Sequence, residues 1–223
     1  MKVKLFFNAL TKYLLGLLLT GLLLFLPAGT LRYPNGWLFI GLLFLPMLIL
    51  GGFMLVKAPD LLQKRLNTKE KEKTQKGVVG LSGILFFAGF LAAGLDYRFG
   101  WTRVPLWVVI AASVILLVAY ALYAEVMREN AYLSRTIEVQ EGQTVVDTGL
   151  YGIIRHPMYA VTLWLFLAIP LVLDSWISFI FFLHYPILII LRIRNEEAVL
   201  TRGLAGYDAY KRKVKYRLIP FIW

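Results

Sequence analysis

The sequence contains no cysteine and only two histidines, and charged residues occupy 17% of its 223 positions. Without cysteine, disulfide bonds and thiolate metal sites are excluded. The two histidines, His156 and His184, would need carboxylates to complete a metal site, and no metal-ligand spacing is visible around them. We therefore predict no metal centre. The charged fraction is also below the roughly one quarter that soluble domains carry.

Apolar residues dominate what is present. They make up 59% of the chain, and the mean hydropathy is +0.69. This is too apolar for a soluble domain of this size, so the core must be shared with lipid. The net charge is +11. In a membrane protein such an excess indicates cytoplasmic loops and anionic lipid headgroups as partners rather than nucleic acid.

The first half of the chain carries four apolar runs, each near the ~20 residues that cross a bilayer. They predict transmembrane helices at about 13–31, 37–56, 78–95 and 105–123. A lysine-rich start without a small-residue cleavage site predicts that the first span is retained. The third span is rich in glycine and alanine, which predicts close helix packing.

A polar stretch at 57–76 separates the second and third spans. Its lysines and arginines are typical of a cytoplasmic loop, with a lipid-binding or regulatory arm as the alternative. The helical spacing of Leu61, Leu62 and Leu66 predicts a short surface helix within it.

The second half is organised differently. Residues 136–148 alternate β-branched and polar side chains, which predicts an extended or hairpin-like segment outside the membrane. Two short apolar arms, at 160–173 and 176–191, follow. They predict either a hairpin of short or tilted helices or a re-entrant pair bent at Pro170 and Pro186.

Charge distribution predicts the topology. If both termini are cytosolic, every lysine and arginine except Arg32, Arg98 and Arg103 falls on the cytosolic side. The positive-inside rule strongly favours this arrangement over its inverse. The segment before the hairpin and the tail after it then lie on one side, and the hairpin brings them together.

Polar side chains cluster just before the hairpin. Arg155 and His156, with Tyr151 and Tyr159, stand at the lip of an apolar segment. Ionisable groups are costly there, so the default hypothesis is a functional site. An interfacial belt of tyrosine and arginine at headgroup level is the alternative.

A second charged group opens the tail. Arg192 and Glu196 are four residues apart and share one face if the helix continues, and Glu197 lies about 100° around that helix. A solvated helix end is the alternative reading. The later run from Tyr207 to Pro220 is basic and aromatic, as in segments that lie on anionic lipid.

These pieces together resemble a known family. Gly149-x-Tyr151 and Arg155-His156-Pro157-x-Tyr159 precede the hairpin. Arg192-x-x-x-Glu196-Glu197, Tyr207-x-x-Tyr210 and Arg217-Leu-Ile-Pro220 follow it. The combination, over about 130–220, is similar to the isoprenylcysteine carboxyl methyltransferase and phospholipid methyltransferase superfamily of integral membrane enzymes.

The resemblance implies S-adenosyl-L-methionine as cofactor, bound near the membrane surface. It implies that Arg192 and Glu196 are the catalytic pair and that Arg217 braces the tail. It also implies cofactor contacts or a backbone cradle from Gly149, Tyr151, Ile154, Arg155, His156, Pro157, Tyr159, Glu197 and Tyr210. With a carboxylate acceptor, Arg192 would orient the nucleophile and Glu196 would hold Arg192 in place. With an amine acceptor, a glutamate would attract the ammonium or take its proton.

The expected protein is an all-α integral membrane protein of four transmembrane helices and a C-terminal helical hairpin, with a cytosolic cofactor-binding connector and tail. The predicted boundaries are 1–129 for the N-terminal helices and 130–223 for the catalytic region, divided into connector 130–159, hairpin 160–191 and tail 192–223. The resemblance implies methylation of a lipid or prenylated acceptor at the membrane–cytosol boundary, with a carboxylate favoured and phospholipid-type N-methylation as the alternative. The expected partners are this substrate and membrane lipids, not nucleic acid, and the oligomeric state is left open. The alternatives are an NADPH-dependent membrane reductase and a non-enzymatic transporter or scaffold.

Overall fold

The computed structural model of the chain describes residues 2–67 and 73–223. Within these residues the regular structure is helical and no strand is present. The four predicted N-terminal spans correspond to α1 (Lys2–Ala28), α2 (Pro34–Lys57), α4 (Lys73–Phe99) and α5 (Leu106–Glu129). The helices extend beyond most of the predicted limits because polar residues at their ends continue the same hydrogen-bonded turns.

The short helix predicted between the second and third spans is present as α3 (Pro59–Leu66). Its leucines Leu61 and Leu62 are buried, and they pack with Met54 of α2 and Met127 of α5. Residues 68–72, part of the predicted basic loop, lie outside the described residues.

The C-terminal half agrees with the predicted bend at Pro186 but not with the one at Pro170, which lies inside α6 (Pro157–Val172). The first arm is the single helix α6, but the second is divided into α7 (Trp176–Phe182) and α8 (Tyr185–Gly203). Pro186 lies in the first turn of α8, where its ring fits and its missing N–H costs nothing. The predicted tail therefore begins as helix, and only the seven-residue α9 (Tyr207–Lys213) and a short end follow.

Residues 136–148 were predicted to be extended or hairpin-like, and the hairpin alternative is wrong. Residues 136–148 form no ladder, although a turn at Glu141–Gly142 is present as expected. Side chains replace the ladder: Gln140 Nε2 donates to the Tyr132 carbonyl at 2.5 Å, and the Tyr132 hydroxyl donates to the Gly142 carbonyl at 2.9 Å. The segment folds over the end of the bundle.

Five helical segments of the described chain are long and apolar enough to cross a membrane, the fifth being Trp176–Gly203; α6 is shorter. Leucine and phenylalanine side chains cover much of the outer surface, as expected for helices in lipid. The protein is therefore an integral membrane protein. In the bundle α5 packs along α6, and α4 packs along α1 and α7.

Glycines of α4 serve two different purposes. At Gly94 an added Cβ would lie 2.6 Å from the Leu24 carbonyl, and at Gly89 it would lie 2.5 Å from the Phe182 ring. These two confirm the predicted close packing. Gly80 and Gly83 face open space, with no atom within 4 Å of an added Cβ.

The two ends of the bundle are chemically distinct. At one end, short loops are joined by a polar network in which buried Asp96 accepts hydrogen bonds from Thr102 and from Ser175 Oγ, the latter at 2.5 Å. The Asp174 carboxylate there accepts from Arg103 Nη1 at 2.9 Å. At the other end, which we call the connector end, α3, residues 130–156 and the C-terminal tail meet. The polar side chains singled out in the sequence lie at that end.

Candidate active site at the connector end

The Arg155–His156 loop lies between a 3-10 turn (Gly149–Gly152) and the start of α6. Its backbone pairs with the C-terminal tail: Arg155 N–H donates to the Tyr216 carbonyl and His156 N–H to the Arg217 carbonyl, each at 2.9 Å. The Arg155 guanidinium reinforces this pairing through Nη1, which donates to the Val214 carbonyl at 2.8 Å. The loop and the tail are thus one structural unit.

Glu197 connects that unit to α8. Its Oε1 accepts from Arg155 Nε at 2.7 Å and lies 3.3 Å from His156 Nε2, while its Oε2 accepts from Arg217 Nε at 2.9 Å. Glu197, Arg155 and His156 are each buried, with 7%, 8% and 4% of their surface exposed. Two arginine donors and a histidine ring compensate the burial of the Glu197 carboxylate. A buried charge left without such partners would be strongly unfavourable.

Tyr159 links the other two charged residues of α8. Its hydroxyl donates to Glu196 Oε2 at 2.5 Å and accepts from Arg192 Nε at 3.3 Å. The Arg192 guanidinium lies 5.9 Å from the centre of the Tyr159 ring, within cation–π distance. Arg192 Nη2 also donates to the Arg135 carbonyl at 3.1 Å, which ties α8 to the connector.

These side chains border a cavity of about 490 Å³. Its upper part is polar and lies beneath the connector, between the Arg155–His156 loop and α9. Its lower part is an apolar limb between α4, α6 and α8, lined by Val79, Gly83, Phe86, Phe166, Tyr185 and Leu188. The volume falls within the ~300–1,000 Å³ of small-molecule sites. A polar chamber joined to an apolar limb can hold two chemically different molecules.

Seven of the eleven residues proposed from sequence line this cavity: Tyr151, Arg155, His156, Tyr159, Arg192, Glu196 and Tyr210. Gly149, Ile154, Pro157 and Glu197 are outside the lining. For Glu197 the reason is geometric, because both carboxylate oxygens are engaged by the loop and the tail. It holds the wall of the cavity in place.

Gly149 is needed for a close approach to α5. Its φ is +51°, and an added Cβ would overlap the Glu129 carboxylate. Glu129 Oε2 accepts the backbone N–H of Leu150 at 3.0 Å, so the end of α5 fixes the 3-10 turn. The predicted cradle role of Gly149 is therefore indirect in this geometry.

Tyr207 lines the cavity but was not among the predicted site residues. It is 4% exposed, and its hydroxyl has no hydrogen-bond partner among the described residues. The neighbouring Tyr210 differs, because its hydroxyl donates to the Tyr151 carbonyl at 2.8 Å. An unpaired buried hydroxyl is unfavourable and is expected to find a partner in a bound ligand or water. The Tyr207-x-x-Tyr210 spacing was the available signal.

Electrostatics keep the cavity tyrosines protonated. Burial raises the pKa of Tyr207, and the Glu197 and Glu196 carboxylates raise it further. Burial is likewise the largest cause of the raised pKa of Tyr210 and of Tyr151. These hydroxyls therefore remain hydrogen-bond donors at neutral pH. The described residues contain no group of three or more side chains that could hold a metal ion.

The sequence profile of the isoprenylcysteine carboxyl methyltransferase (ICMT) family matches residues 108–202. An uncharacterised Bacillus subtilis protein, YpbQ, is 31% identical over 118 residues, which cover 52% of this chain and 68% of that protein. The chain belongs to the ICMT family. The matched segment contains the loop, α6, α7 and nearly all of α8, including Arg155, His156, Arg192, Glu196 and Glu197.

Two sterol reductases are also similar to this chain. A Delta(14)-sterol reductase of Mus musculus is 29% identical over 91 residues, covering 40% of this chain and 22% of the reductase. A Delta(14)-sterol reductase of Methylotuvimicrobium alcaliphilum is 24% identical over 134 residues, covering 53% of this chain and 31% of the reductase. The chain thus spans less than a third of each reductase. The ICMT-family match ends before Tyr207, Tyr210 and Arg217, so the tail that closes the site lies outside it.

Proposed function

We propose that this ICMT-family protein is an S-adenosylmethionine-dependent methyltransferase that acts on a lipophilic acceptor, with a carboxylate favoured as the methylated group. The observation that carries the proposal is the two-part cavity. Its polar chamber is built from Arg155, His156, Tyr159 and Glu196, and its apolar limb runs between transmembrane helices. Family membership supports methyl transfer as the reaction class.

The chemistry of the polar chamber fits the cofactor. S-adenosylmethionine combines a zwitterionic amino-acid end, a sulfonium and an aromatic base, and it supplies an electrophilic methyl group when bound. Arg155 offers a positive charge to the carboxylate of the zwitterion, and the His156 ring offers a hydrogen-bonding nitrogen. The Tyr159, Tyr207 and Tyr210 rings provide aromatic faces for a cation or a base. The Tyr207 hydroxyl supplies a donor that no residue within 2–67 and 73–223 uses.

Arg192, Tyr159 and Glu196 are arranged to position an acceptor. A carboxylate nucleophile would accept hydrogen bonds from the Arg192 fork, while the Tyr159 hydroxyl links Arg192 to the Glu196 carboxylate. Methyl transfer between correctly aligned partners depends mainly on positioning and desolvation. For an amine acceptor, the Glu196 carboxylate would instead attract the ammonium and accept a proton, so N-methylation is the alternative chemistry.

The proposed orientation places both termini, the connector and the site on the cytosolic side. The charge asymmetry supports this orientation. Arg32, Arg98 and Arg103 lie at the opposite end, and the other lysines and arginines fall on the proposed cytosolic side. A water-soluble cofactor could then enter from the cytosol, and a lipophilic acceptor could enter from the bilayer along α4.

A reductase is the second candidate, and the similarity to two Delta(14)-sterol reductases favours it. In that case the polar chamber would hold NADPH and the apolar limb a sterol-like substrate. Methyl transfer is favoured over reduction because the ICMT-family match covers both the Arg155–His156 loop and the charged residues of α8.

The test is methyl transfer by the purified protein. The protein in detergent would be incubated with methyl-deuterated S-adenosylmethionine and a membrane lipid extract, and the lipids analysed by mass spectrometry. We expect a labelled lipid that loses its label on mild alkaline hydrolysis, as a methyl ester does; alkali-stable label would indicate N-methylation. An Arg192→Ala variant that still binds S-adenosylhomocysteine is the matched control. No label, together with NADPH-dependent reduction of a lipid, would overturn the proposal.

A further inference from the structure

Residues 218–223, which we call the tail hook, form a closed turn after α9. Three consecutive backbone N–H groups, those of residues 217–219, donate to the Trp223 carbonyl at 2.9 to 3.2 Å. The Ile222 N–H donates back to the Ile219 carbonyl at 3.2 Å. These hydrogen bonds fix the shape of the tail hook although it contains no helix or strand.

One side of the tail hook packs against the membrane helices. Leu218 is 7% exposed and packs with Ile189 of α8, and Trp223 and Leu163 of α6 pack against the same cluster. Leu163 lies six residues after the start of α6, about 9 Å along the helix. Each headgroup region is only about 5–7 Å deep. The tail hook therefore lies beside the helices where headgroups meet acyl chains, a level at which tryptophan is enriched.

The other side of the tail hook is apolar and uncovered. Ile219, Phe221 and Ile222 are 43%, 87% and 77% exposed. Adjacent exposed apolar side chains are unfavourable in water and favourable at the boundary between headgroups and acyl chains. A lipid surface would cover them at the depth that the packed side already indicates.

Phe221 adopts a backbone conformation that favours glycine. Its φ is +66°, at a central position of the turn that the Ile222 N–H closes. A bulky residue there is strained, and such strain persists where the side chain is needed. The Phe221 ring lies 5.2 Å from the Tyr216 ring, between centroids, yet remains the most exposed of the three apolar side chains. A contact outside the chain accounts for a strained residue that packs so little within it.

The segment that leads into the tail hook carries positive charge that the protein does not neutralise. Arg212 and Lys215 are exposed, and within residues 2–67 and 73–223 neither forms an ion pair. Basic residues next to an inserted apolar turn attract anionic lipid headgroups. The other cations of 207–217 are paired: Lys211 with Asp208, Lys213 with Asp147, and Arg217 with Glu197.

The tail hook follows directly after the segment that closes the site. The Tyr216 and Arg217 carbonyls accept from the backbone of the Arg155–His156 loop, each at 2.9 Å. Leu218, the next residue, is the buried anchor of the tail hook. Fixing the tail hook in lipid therefore restrains the pairing between loop and tail.

We propose that the tail hook inserts into the leaflet at the connector end, where Arg212 and Lys215 bind anionic phospholipid headgroups, and that this contact holds the tail against the Arg155–His156 loop. The partner is a membrane surface and not a ligand of the cavity. The inference does not depend on methyl transfer.

The first experiment measures the depth of the tail hook. The chain contains no cysteine, so one introduced cysteine takes up a nitroxide label at a single position. Ile222→Cys would be compared with Glu141→Cys, at an exposed turn of the connector, in phosphatidylcholine–phosphatidylglycerol nanodiscs. We expect the label at 222 to collide more with oxygen than with a water-soluble nickel chelate, and the label at 141 to do the reverse. Adding Phe221→Gly, which relieves the backbone but removes the ring, should raise nickel accessibility at 222 about twofold.

The second experiment measures anionic lipid recognition by amide hydrogen exchange of residues 213–217. Exchange in the wild type should be about threefold slower in discs that contain phosphatidylglycerol than in discs of phosphatidylcholine alone. The double variant Arg212→Gln/Lys215→Gln should lose this difference. Lys57→Gln/Lys76→Gln is the matched control, because it removes the same charge from exposed positions at the same end of the bundle, and it should keep the difference.

Four results would overturn the inference. Nickel accessibility at 222 equal to that at 141 would place the tail hook in water. A label at 222 shielded from both oxygen and nickel would indicate a protein partner instead. Equal exchange in the two kinds of disc would remove the recognition of anionic lipid, and a loss of the difference in the control variant would assign the effect to net charge alone. A wild-type protein that binds no S-adenosylhomocysteine but meets these expectations would refute the proposed function and support this inference.

Discussion

Glu197 is the residue whose replacement most sharply tests how the site is assembled. It receives hydrogen bonds from Arg155 at 2.7 Å and Arg217 at 2.9 Å and lies 3.3 Å from His156, all at a position only 7% exposed. Glu197→Gln keeps the shape of the side chain and removes its charge. The Arg155 guanidinium would then remain buried without a counter-ion.

Removing one partner of a buried ion pair costs about 3–5 kcal/mol, because the remaining charge stays desolvated. The carbonyls of Val214 and Lys215 still accept from Arg155 Nη1, so we expect the lower end, about 3 kcal/mol. For a chain of this length that corresponds to a fall in the thermal midpoint of roughly 6–12 °C. The loss should be concentrated where the tail pairs with the Arg155–His156 loop.

Thermal unfolding in detergent and amide hydrogen exchange of residues 213–217 provide the assay. Glu196→Gln is the matched control, since it removes the adjacent carboxylate, whose partner is the Tyr159 hydroxyl. We expect the control to unfold within a few degrees of the wild type and to keep the tail protected. A Glu197→Gln protein with wild-type stability and tail protection would refute the assignment of Glu197 as the link between loop, α8 and tail.

Four further predictions concern the cavity itself. Tyr207→Phe should leave the stability of the ligand-free protein unchanged or slightly higher, because it removes an unpaired hydroxyl, yet weaken S-adenosylhomocysteine binding several-fold in calorimetry. Tyr210→Phe should instead lower stability by about 1 kcal/mol, measured by thermal unfolding, since it removes a bond to the Tyr151 carbonyl. Arg192→Ala and Glu196→Ala should each lower turnover at least tenfold in the methyl-transfer assay while S-adenosylhomocysteine affinity stays within twofold; abolished cofactor binding in Arg192→Ala would contradict their assignment to the acceptor. Because burial raises the pKa of Tyr207, Tyr210 and Tyr151, stability should be insensitive to these groups below about pH 10, the ordinary tyrosine value, and decline above it as the unfolded chain ionises first. Thermal midpoints of the wild type and of Tyr207→Phe, measured from pH 8 to about pH 11, test this. A wild-type midpoint that does not fall above about pH 10 would contradict it.

The sequence allowed the helices to be predicted well because lipid imposes a simple rule. About twenty apolar residues are needed to cross a bilayer, and four such runs stand out in the first half of the chain. The position of α3 followed from three leucines at helical spacing. The meeting of the Arg155–His156 loop with α8 followed from a hairpin that must return its ends to one side.

The errors arose where tertiary contacts decide the structure. Residues 136–148 alternate as a strand would, but they have no partner strand, and side chains such as Gln140 satisfy the backbone instead. The break between α7 and α8 lies just before Pro186, where one predicted alternative put a bend, but the bend predicted at Pro170 does not interrupt α6. The predicted domain boundaries and cytosolic orientation remain predictions.

The site was only partly predictable for the same reason. Spacing along α8 places Glu196 and Glu197 about 100° apart, but it does not say which one faces the cavity and which one the tail. Arg65 of α3 lines the cavity with Arg135, seventy positions later, but the sequence around it is typical of any basic loop. Only the folded chain brings it to the cavity.

The measurement that tests the central claim most directly is calorimetric titration of the purified wild-type protein with S-adenosylhomocysteine and, separately, with NADPH. The account predicts saturable binding of S-adenosylhomocysteine near one per chain, reduced in His156→Ala and Tyr207→Phe, and no binding of NADPH. Binding of NADPH with none of S-adenosylhomocysteine would contradict the account and assign the polar chamber to a reductase.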